Sequence, residues 1–418
     1  MARGQNLLQK HRERRLNMLS GKKILLGVTG GIAAYKTTFL TRLLIKAGAE
    51  VKIVLTSSAS SFVSPLTLST LSKNPAHTDF INEEDGSVSW NNHVDLGLWA
   101  DLMIIAPATA NTLSKMAHGT CDNLLLATYL SAKCPVYFAP AMDLDMYKHP
   151  STKATLDKLI SFGNKMIPAE SGELASGLHG EGRMAEPESI LSFVNNDILS
   201  ELPLKDKKVL ITAGPTHEAI DPVRYLGNRS SGTMGFELAK AAAGKGAKVF
   251  LVSGPTNLNV EHERIQLIRV TSAQEMYHAC HEHYAEVDIA ISAAAVADYR
   301  PKVVHTEKMK KKEGDLVIAL ERNPDILLSM GQQKKNQFLV GFALETENEL
   351  DNAKGKLERK NLDAIVLNSL KDDGAGFGAG TNKVSFIDKN SDIKTFALKT
   401  KPEVAIDIWD EIIARIHA

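Results

Sequence analysis

The sequence predicts an α/β protein made of two doubly wound, Rossmann-like parallel-sheet domains. Three observations lead there. Short apolar runs of strand length alternate with stretches whose apolar residues recur at helical spacing, the pattern of a sheet covered by helices. That alternation begins twice, at Lys22 and again at Lys207. The chain also has 418 residues, more than one ordinary α/β core holds, so two domains fit the length best.

In the first half, Lys22 to Val28 (KKILLGV) reads as a buried parallel strand, Thr29-Gly30-Gly31 as its turn, and Ile32 to Lys46 as a helix stopped by Gly48. Val51 to Leu55, Asp101 to Ala106 and Val136 to Ala139 repeat the strand pattern, and Asn82 to Asn92 reads as a polar loop. The strands run into Thr29-Gly30-Gly31, Thr56-Ser57-Ser58, Ala106-Pro107-Ala108-Thr109 and Ala139-Pro140-Ala141. Ligands of such sheets sit beyond the carboxyl ends of the strands, so these residues should converge on one crevice. Short hydroxyls and bare backbone suit a phosphate and a flat ring. Pro187 to Ser200 reads as a closing helix, and Glu201 to Asp206 (ELPLKD) as a short polar linker.

In the second half, Val209 to Thr212 runs into Ala213-Gly214-Pro215-Thr216, and Gly232 opens a helix-patterned run to about Gly244. A strand, a glycine-bearing turn and a helix would present backbone N–H groups to phosphate or carboxylate. The wording is neither GxxxxGK[ST] nor GxGxxG. Strands are expected over Lys248 to Val252, Ile265 to Val270, Val287 to Ile291 and Phe338 to Val340, with a helix over Ala273 to His283. Asn323-Pro324-Asp325-Ile326 reads as a helix start, Asn323 capping and Pro324 in the first turn. Gly341 to Thr346 should be a loop after its strand, and Asp373 to Thr381 a glycine-rich connection. Lys383 to Ile387 and Ile393 to Leu398 then pair as a hairpin before a last helix, Glu403 to Ile416.

Lys plus Arg equals Asp plus Glu at 49 each, so no net field draws the chain to nucleic acid or an anionic membrane. Cys121, Cys134 and Cys280 are odd in number and form no CxxC pair, which argues against zinc or redox exchange and for a reducing cytoplasm. The longest apolar run, Asn123 to Leu130, is far short of the roughly 20 residues that span a bilayer. Residues 1 to 20 read as a basic N-terminal extension without the apolar centre of a secretory signal, and Met18 is a second candidate start.

The segment GPTHEAIDPVRYLGNRSSGTMG, from Gly214, resembles the signature of phosphopantothenate–cysteine ligases, as do AAVADYR from Ala294, NPDI from Asn323 and GFALET from Gly341. In the first half, TGGIAAYK, TSSA, APATANTLSKMAHG and CDNLL resemble the phosphopantothenoylcysteine decarboxylase flavoproteins. Together the two halves resemble the bifunctional bacterial enzymes of coenzyme A biosynthesis. The resemblance implies a flavodoxin-like, FMN-binding decarboxylase domain over 21–200, a linker over 201–206 and a ligase domain over 207–418. It places Gly31, Ser57, Thr109 and Asn111 against FMN. It makes His93, in HVDLGLWAD, the base near the substrate thiol, imidazole being the side chain whose neutral form is available for that task near neutral pH. In the ligase it places CTP against Gly214, Ala294, Asp298, Lys308, Asn323, Pro324, Asp325, Ile326 and Phe342, with Asp298 at the nucleotide or its Mg²⁺. Asn228 and Lys308 would act on an acyl-cytidylate anhydride. The rest of the basic run Glu307 to Gly314 should be a solvated face.

Two departures stand out. The family's substrate clamp reads PAMNxxM, whereas this chain has Asp143 where the amide stands, and burial together with Asp145 would have to raise its pKa for it to donate a hydrogen bond to a substrate carboxylate. The flap-like segment Ser171 to Met184 carries Ser176 where a cysteine usually donates a proton, and a hydroxyl is a weaker acid than a thiol of pKa about 8.5. His179 or a water would then substitute. A live ligase fused to a catalytically impaired FMN-binding module therefore stays open beside the two-step enzyme. An NAD-type dehydrogenase lacks GxGxxG and its acidic ribose partner. CTP is expected over ATP because fused bacterial members use it. Homo-oligomers are also implied, trimeric through the first half and dimeric through the second.

Overall fold

The computed structural model describes residues 18–84, 87–174, 177–310, 316–345, 348–369 and 380–417. Contacts divide the chain into two compact units, residues 1–200 and 201–418.

The first unit is built on six parallel strands: β1 (Lys23–Val28), β2 (Glu50–Leu55), β3 (Ala76–His77), β4 (Leu102–Ala108), β5 (Val136–Pro140) and β6 (Lys165–Met166). Their spatial order is β3-β2-β1-β4-β5-β6. Without the two-residue edge strand β3, the remaining five follow the flavodoxin order, with the topological switch between β1 and β4. Both faces of β1 are buried because helices cover both, and its side chains alternate between two cores. Ile24, Leu26 and Val28 join Leu40, Leu44 and Val194 on one face, while Leu25 joins Met103, Leu113 and Leu125 on the other.

Three expectations are corrected here. Ile32 to Lys46 is not one helix: Ile32–Lys36 is a 3₁₀ turn and the α-helix is Thr37–Lys46. Gly31 offers no capping side chain, and the first turn closes on the short Ala34 N–H to Gly31 C=O bond instead. The stretch expected as a polar loop over Asn82 to Asn92 is largely a hairpin, Ile81–Glu84 paired with Ser87–Trp90, and the polar/apolar alternation of Ser87-Val88-Ser89-Trp90 was its signal. Leu19 is fully buried in the first core, so that unit begins inside the segment read as an extension.

The second unit is built on an eight-stranded sheet: β7 (Lys208–Ala213), β8 (Lys248–Ser253), β9 (Ile265–Arg269), β10 (Ile289–Ser292), β11 (Phe338–Glu345), β12 (Ala364–Ser369), β13 (Val384–Asp388) and β14 (Ile393–Thr395). The order is β9-β8-β7-β10-β11-β12-β13-β14, the first six strands pairing in parallel and the last two pairings, β12 with β13 and β13 with β14, antiparallel. The helix Lys401–Ile416 starts with a Thr400/Glu403 capping box and lies along the helix Thr233–Gly244. Its Trp409 is fully buried and donates its indole N–H to Leu238 C=O at 2.9 Å. Burying a side chain of that size is worth about 3–5 kcal/mol.

Here too there are corrections. The cap of the helix Ile326–Gln333 is Asp325, whose carboxylate accepts the Leu328 N–H, while Asn323 turns away to donate to Ala297 C=O. Gly341 to Glu345 continues β11 and is not a loop, because Gly341 to Glu345 pairs in register with Ile365 to Ser369. Residues 201–206 are not a free linker: Leu204 is fully buried against the second core. Ser176, and residues 373–379 of the glycine-rich connection, lie outside the described residues.

Candidate active sites

In the first unit a cavity of about 990 Å³ opens beyond the carboxyl ends of β1, β2, β4 and β5. Gly31, Ser57, Thr109 and Asn111 all line it, and so does Asp143. The buried Thr29 hydroxyl ties its floor together at the β1/β4 switch, donating to Pro107 C=O at 2.7 Å and accepting from Thr109 N–H at 3.1 Å. Lys115 and Asp122 pair at 2.5 Å on the wall, and Asn123 caps the helix Leu124–Ser131 by accepting from Leu126 N–H.

The hairpin Glu170–Glu173/His179–Arg183 is the segment read as a flap, and it docks on the Asp143 loop. Met142 N–H donates to Gly182 C=O at 3.0 Å. Gly182 has φ +132°, and a Cβ on it would stand 2.5 Å from Met142 C=O, so backbone meets backbone there with no room for a side chain. The base of the hairpin is held by Glu186, which receives Lys36 Nζ at 2.9 Å and Arg183 Nη2 at 2.5 Å. The Lys36 hydrogen bond, against some loss of solvent and with help from the charges of Lys36 and Arg183, holds the Glu186 carboxyl below the usual carboxylate range. Asp143 is half-buried and Asp145 exposed. His179 is exposed on the hairpin.

His93 is the residue the fold does not bring to this cavity. It opens the helix His93–Trp99, but it is absent from the cavity lining and meets Phe80 and Trp90 edge-on, ring centroids 6.0 and 6.2 Å away. Its Nδ1 is buried without a hydrogen-bond partner among the described residues.

In the second unit the turn after β7 packs against two other segments through glycine. Gly214 and Gly232 have φ +76° and +78°, and a Cβ on Gly232 would lie 3.3 Å from Gly214 Cα. A Cβ on Gly254, after β8, would fall 1.7 Å from Pro215 C=O. The loop after β10 closes over this turn: Ala294 N–H donates to Thr212 Oγ1, Ala295 N–H to Gly214 C=O, and Ala297 N–H to Thr216 Oγ1. Asn228 donates to Val296 C=O at 2.9 Å, and Asn323 to Ala297 C=O at 2.8 Å. Thus Gly214, Asn228, Ala294, Asn323 and exposed Asp298, whose C=O accepts Asn323 N–H, form one bonded group, with Pro324, Asp325 and Ile326 following directly. Asn323 Oδ1 is buried and has no hydrogen-bond partner among the described residues. Burial opposes ionisation of Asp325, but the Lys360 ammonium 2.7 Å away and the Leu328 N–H hold its carboxyl below the usual range. Phe342 follows Gly341, which pairs with Ser292 at the root of the loop, but it sits within a strand and packs on the core. Lys308 is exposed. Among the described residues no group of three His, Cys, Asp or Glu side chains is placed to hold a metal ion.

These two sites match two families over adjoining stretches. The flavoprotein model covers residues 12–199, and that of the DNA/pantothenate metabolism flavoprotein C-terminal domain covers 204–416. The coenzyme A biosynthesis bifunctional protein CoaBC of Bacillus subtilis (strain 168) is 46% identical over 399 residues, 95% of this chain and 98% of that protein. The chain belongs to the CoaBC family. A protein named cysteine/cysteine sulfinic acid decarboxylase, from an unknown prokaryotic organism, is 56% identical over 360 residues, 85% of this chain and 100% of that one. The crystal structure of the C-terminal domain of a CoaBC protein is 43% identical and covers 52% of this chain and 99% of its own, with a TM-score of 0.45.

In this CoaBC-family chain, sequence reasoning brought Thr29 to the crevice without giving it a task, and passed over Lys36, Glu186 and Asp221. Lys36 and Asp221 sat inside quoted motifs as neighbours of the residues singled out. Glu186 pairs with Lys36, and Asp221 with Met309, only because the fold brings them near.

Proposed function

We propose that the second unit joins 4'-phosphopantothenate to cysteine using CTP, through an acyl-cytidylate, and that the first decarboxylates the resulting 4'-phosphopantothenoylcysteine to 4'-phosphopantetheine. Both reactions belong to coenzyme A biosynthesis in the cytoplasm. The observation that carries this reading is that one chain of the CoaBC family has a ligand-sized cavity and a glycine-built turn at the carboxyl edges of its two sheets.

The cavity fits FMN: Gly31 offers bare backbone, Ser57 and Thr109 hydroxyls, and Asn111 an exposed amide. Bound there, FMN supplies a two-electron acceptor that is restored within the cycle, so the decarboxylation has no net redox change. Asp143 and the docked hairpin would enclose the substrate's cysteinyl end, with Ser176 in place of the usual cysteine as proton donor and His93 as base toward the thiol. Since His93 lies outside the cavity of its own chain, a neighbouring copy would bring it there. The surface around it supports this: Trp90 is 63% exposed, and Val94, Leu98 and Leu130 are also exposed. A trimer covers such a surface against a different patch of the next copy. The ligase half would dimerise.

In the ligase, the N–H groups around Gly214 and Gly232 would receive phosphate, and Asp298 would meet Mg²⁺ together with nucleotide oxygens. The free acceptor Asn323 Oδ1 suits the exocyclic amine of cytosine. Asn228 and Lys308 would then serve the acyl-cytidylate and its attack by cysteine. The test is a mass-spectrometric product assay of the purified, flavin-loaded chain with phosphopantothenate, cysteine, CTP and Mg²⁺. 4'-Phosphopantetheine is expected. Accumulation of phosphopantothenoylcysteine without carbon dioxide release would leave a ligase bearing an inert flavin module. Carbon dioxide from free cysteine or cysteine sulfinic acid alone would move the first unit's activity to those substrates.

A further inference from the structure

We propose that Asp221 is a positioning residue for the ligase reaction, clasping the segment that carries Lys308. This rests on the catalytic reading of Lys308. The Asp221 side chain is fully buried and its two oxygens have separate tasks. Oδ1 accepts the N–H groups of Val223 and Arg224 at 2.9 and 2.8 Å, which shapes the turn after Ile220. Oδ2 accepts Arg224 Nε at 2.9 Å, Arg224 Nη2 at 2.5 Å and Met309 N–H at 3.2 Å.

Arg224 closes the ring by donating from Nη2 to Met309 C=O at 3.1 Å, so both backbone groups of Met309 are bound to this one pair. His305 N–H donates to Ile220 C=O at 3.0 Å and pins the same segment a second time. Lys308 lies between the two fixed points and is itself exposed. A long ammonium is thereby given a fixed root on a stretch, residues 302–310, that lies in no strand or helix. The Arg224 hydrogen bonds, outweighing burial, hold the Asp221 carboxyl far below the usual carboxylate range, so the clasp keeps its charge at any pH where the enzyme works. An ion pair that served the fold alone would not need to grip both sides of Met309.

Asp221→Asn separates the two tasks. Its remaining oxygen can still make the turn, while an NH₂ group replaces the acceptor toward Arg224 and Met309. Met309→Pro removes one donor from the clasp without touching a buried residue, and so guards against a folding defect in the first variant. Both are measured in the full chain with CTP, Mg²⁺, phosphopantothenate and cysteine, alone and combined with Lys308→Gln. Expected is a fall in ligase kcat of roughly 10- to 100-fold, the cost of a misplaced catalytic group, with KM for CTP and cysteine within about twofold. Neither variant should lower the residual rate of Lys308→Gln further. Losses that multiply in the double variants, or a change confined to KM or to thermal stability, overturn the clasp. Wild-type turnover of Lys308→Gln overturns the lysine reading beneath it.

Discussion

Replacing Gly182 by alanine tests whether the docked hairpin is part of the decarboxylation site. Two costs arise. Alanine at φ +132° carries about 1–3 kcal/mol of backbone strain, which stays wherever the hairpin lies. The added Cβ also meets Met142 C=O at 2.5 Å, and because that atom is backbone it cannot swing aside, so docking loses about another 1–3 kcal/mol. Only the second cost is relieved when the hairpin lifts away. It should therefore shift docking by roughly 5- to 150-fold, while the first lowers thermal stability by a few degrees. The assay follows carbon dioxide release from phosphopantothenoylcysteine, with pyrophosphate release by the ligase half as internal control. Decarboxylation should fall within that range while the ligase rate stays put. Wild-type decarboxylation by Gly182→Ala would refute the reasoning, since no arrangement of the docked backbone accommodates that methyl group.

Two further predictions follow from where the fold puts its reactive groups. If His93 serves the cavity of the next copy, co-expressed His93→Gln and Asp143→Ala chains should regain activity that neither shows alone, with about one site in four intact in randomly mixed trimers. No recovery in mixtures shown to exchange subunits would place His93 within its own chain's site. Thiol labelling at pH 8 should follow burial: exposed Cys121 reacts first, half-buried Cys134, its thiol pushed up by burial, more slowly, and Cys280, pushed up to about 12 inside the second core, only on unfolding. Mass mapping that finds Cys280 labelled in the native chain would contradict its placement.

The sheets were legible because their strands are buried on both faces and so read as continuous apolar runs. β1, β2, β7 and β8 lie within a residue or so of where periodicity puts them. β12 (Ala364–Ser369) went unread although AIVL is such a run, because the charged helix Glu349–Arg359 before it buries only Ala353 and Leu357 and gives little helical stripe to announce it. The cap at Asp325 was misplaced to Asn323 because both residue types cap well, and only the nearby Ala297 carbonyl decides between them. At the first site, the small residues after each strand pointed to the cavity without help. That His93 stands apart from it was not legible, since HVDLGLWAD names a residue type and carries no information about which cavity it serves.

The meeting of Gly214, Gly232 and Gly254 has a consequence for recombination between relatives. Three stretches of chain touch there through main-chain atoms and the Thr256 methyl, so the fit does not depend on which larger side chains each parent contributed. Chimeras with crossovers anywhere between residues 214 and 254 should therefore keep this corner intact as long as each parent supplies its glycine. Where side chains interlock, as around Trp409, both parents must instead agree on shape.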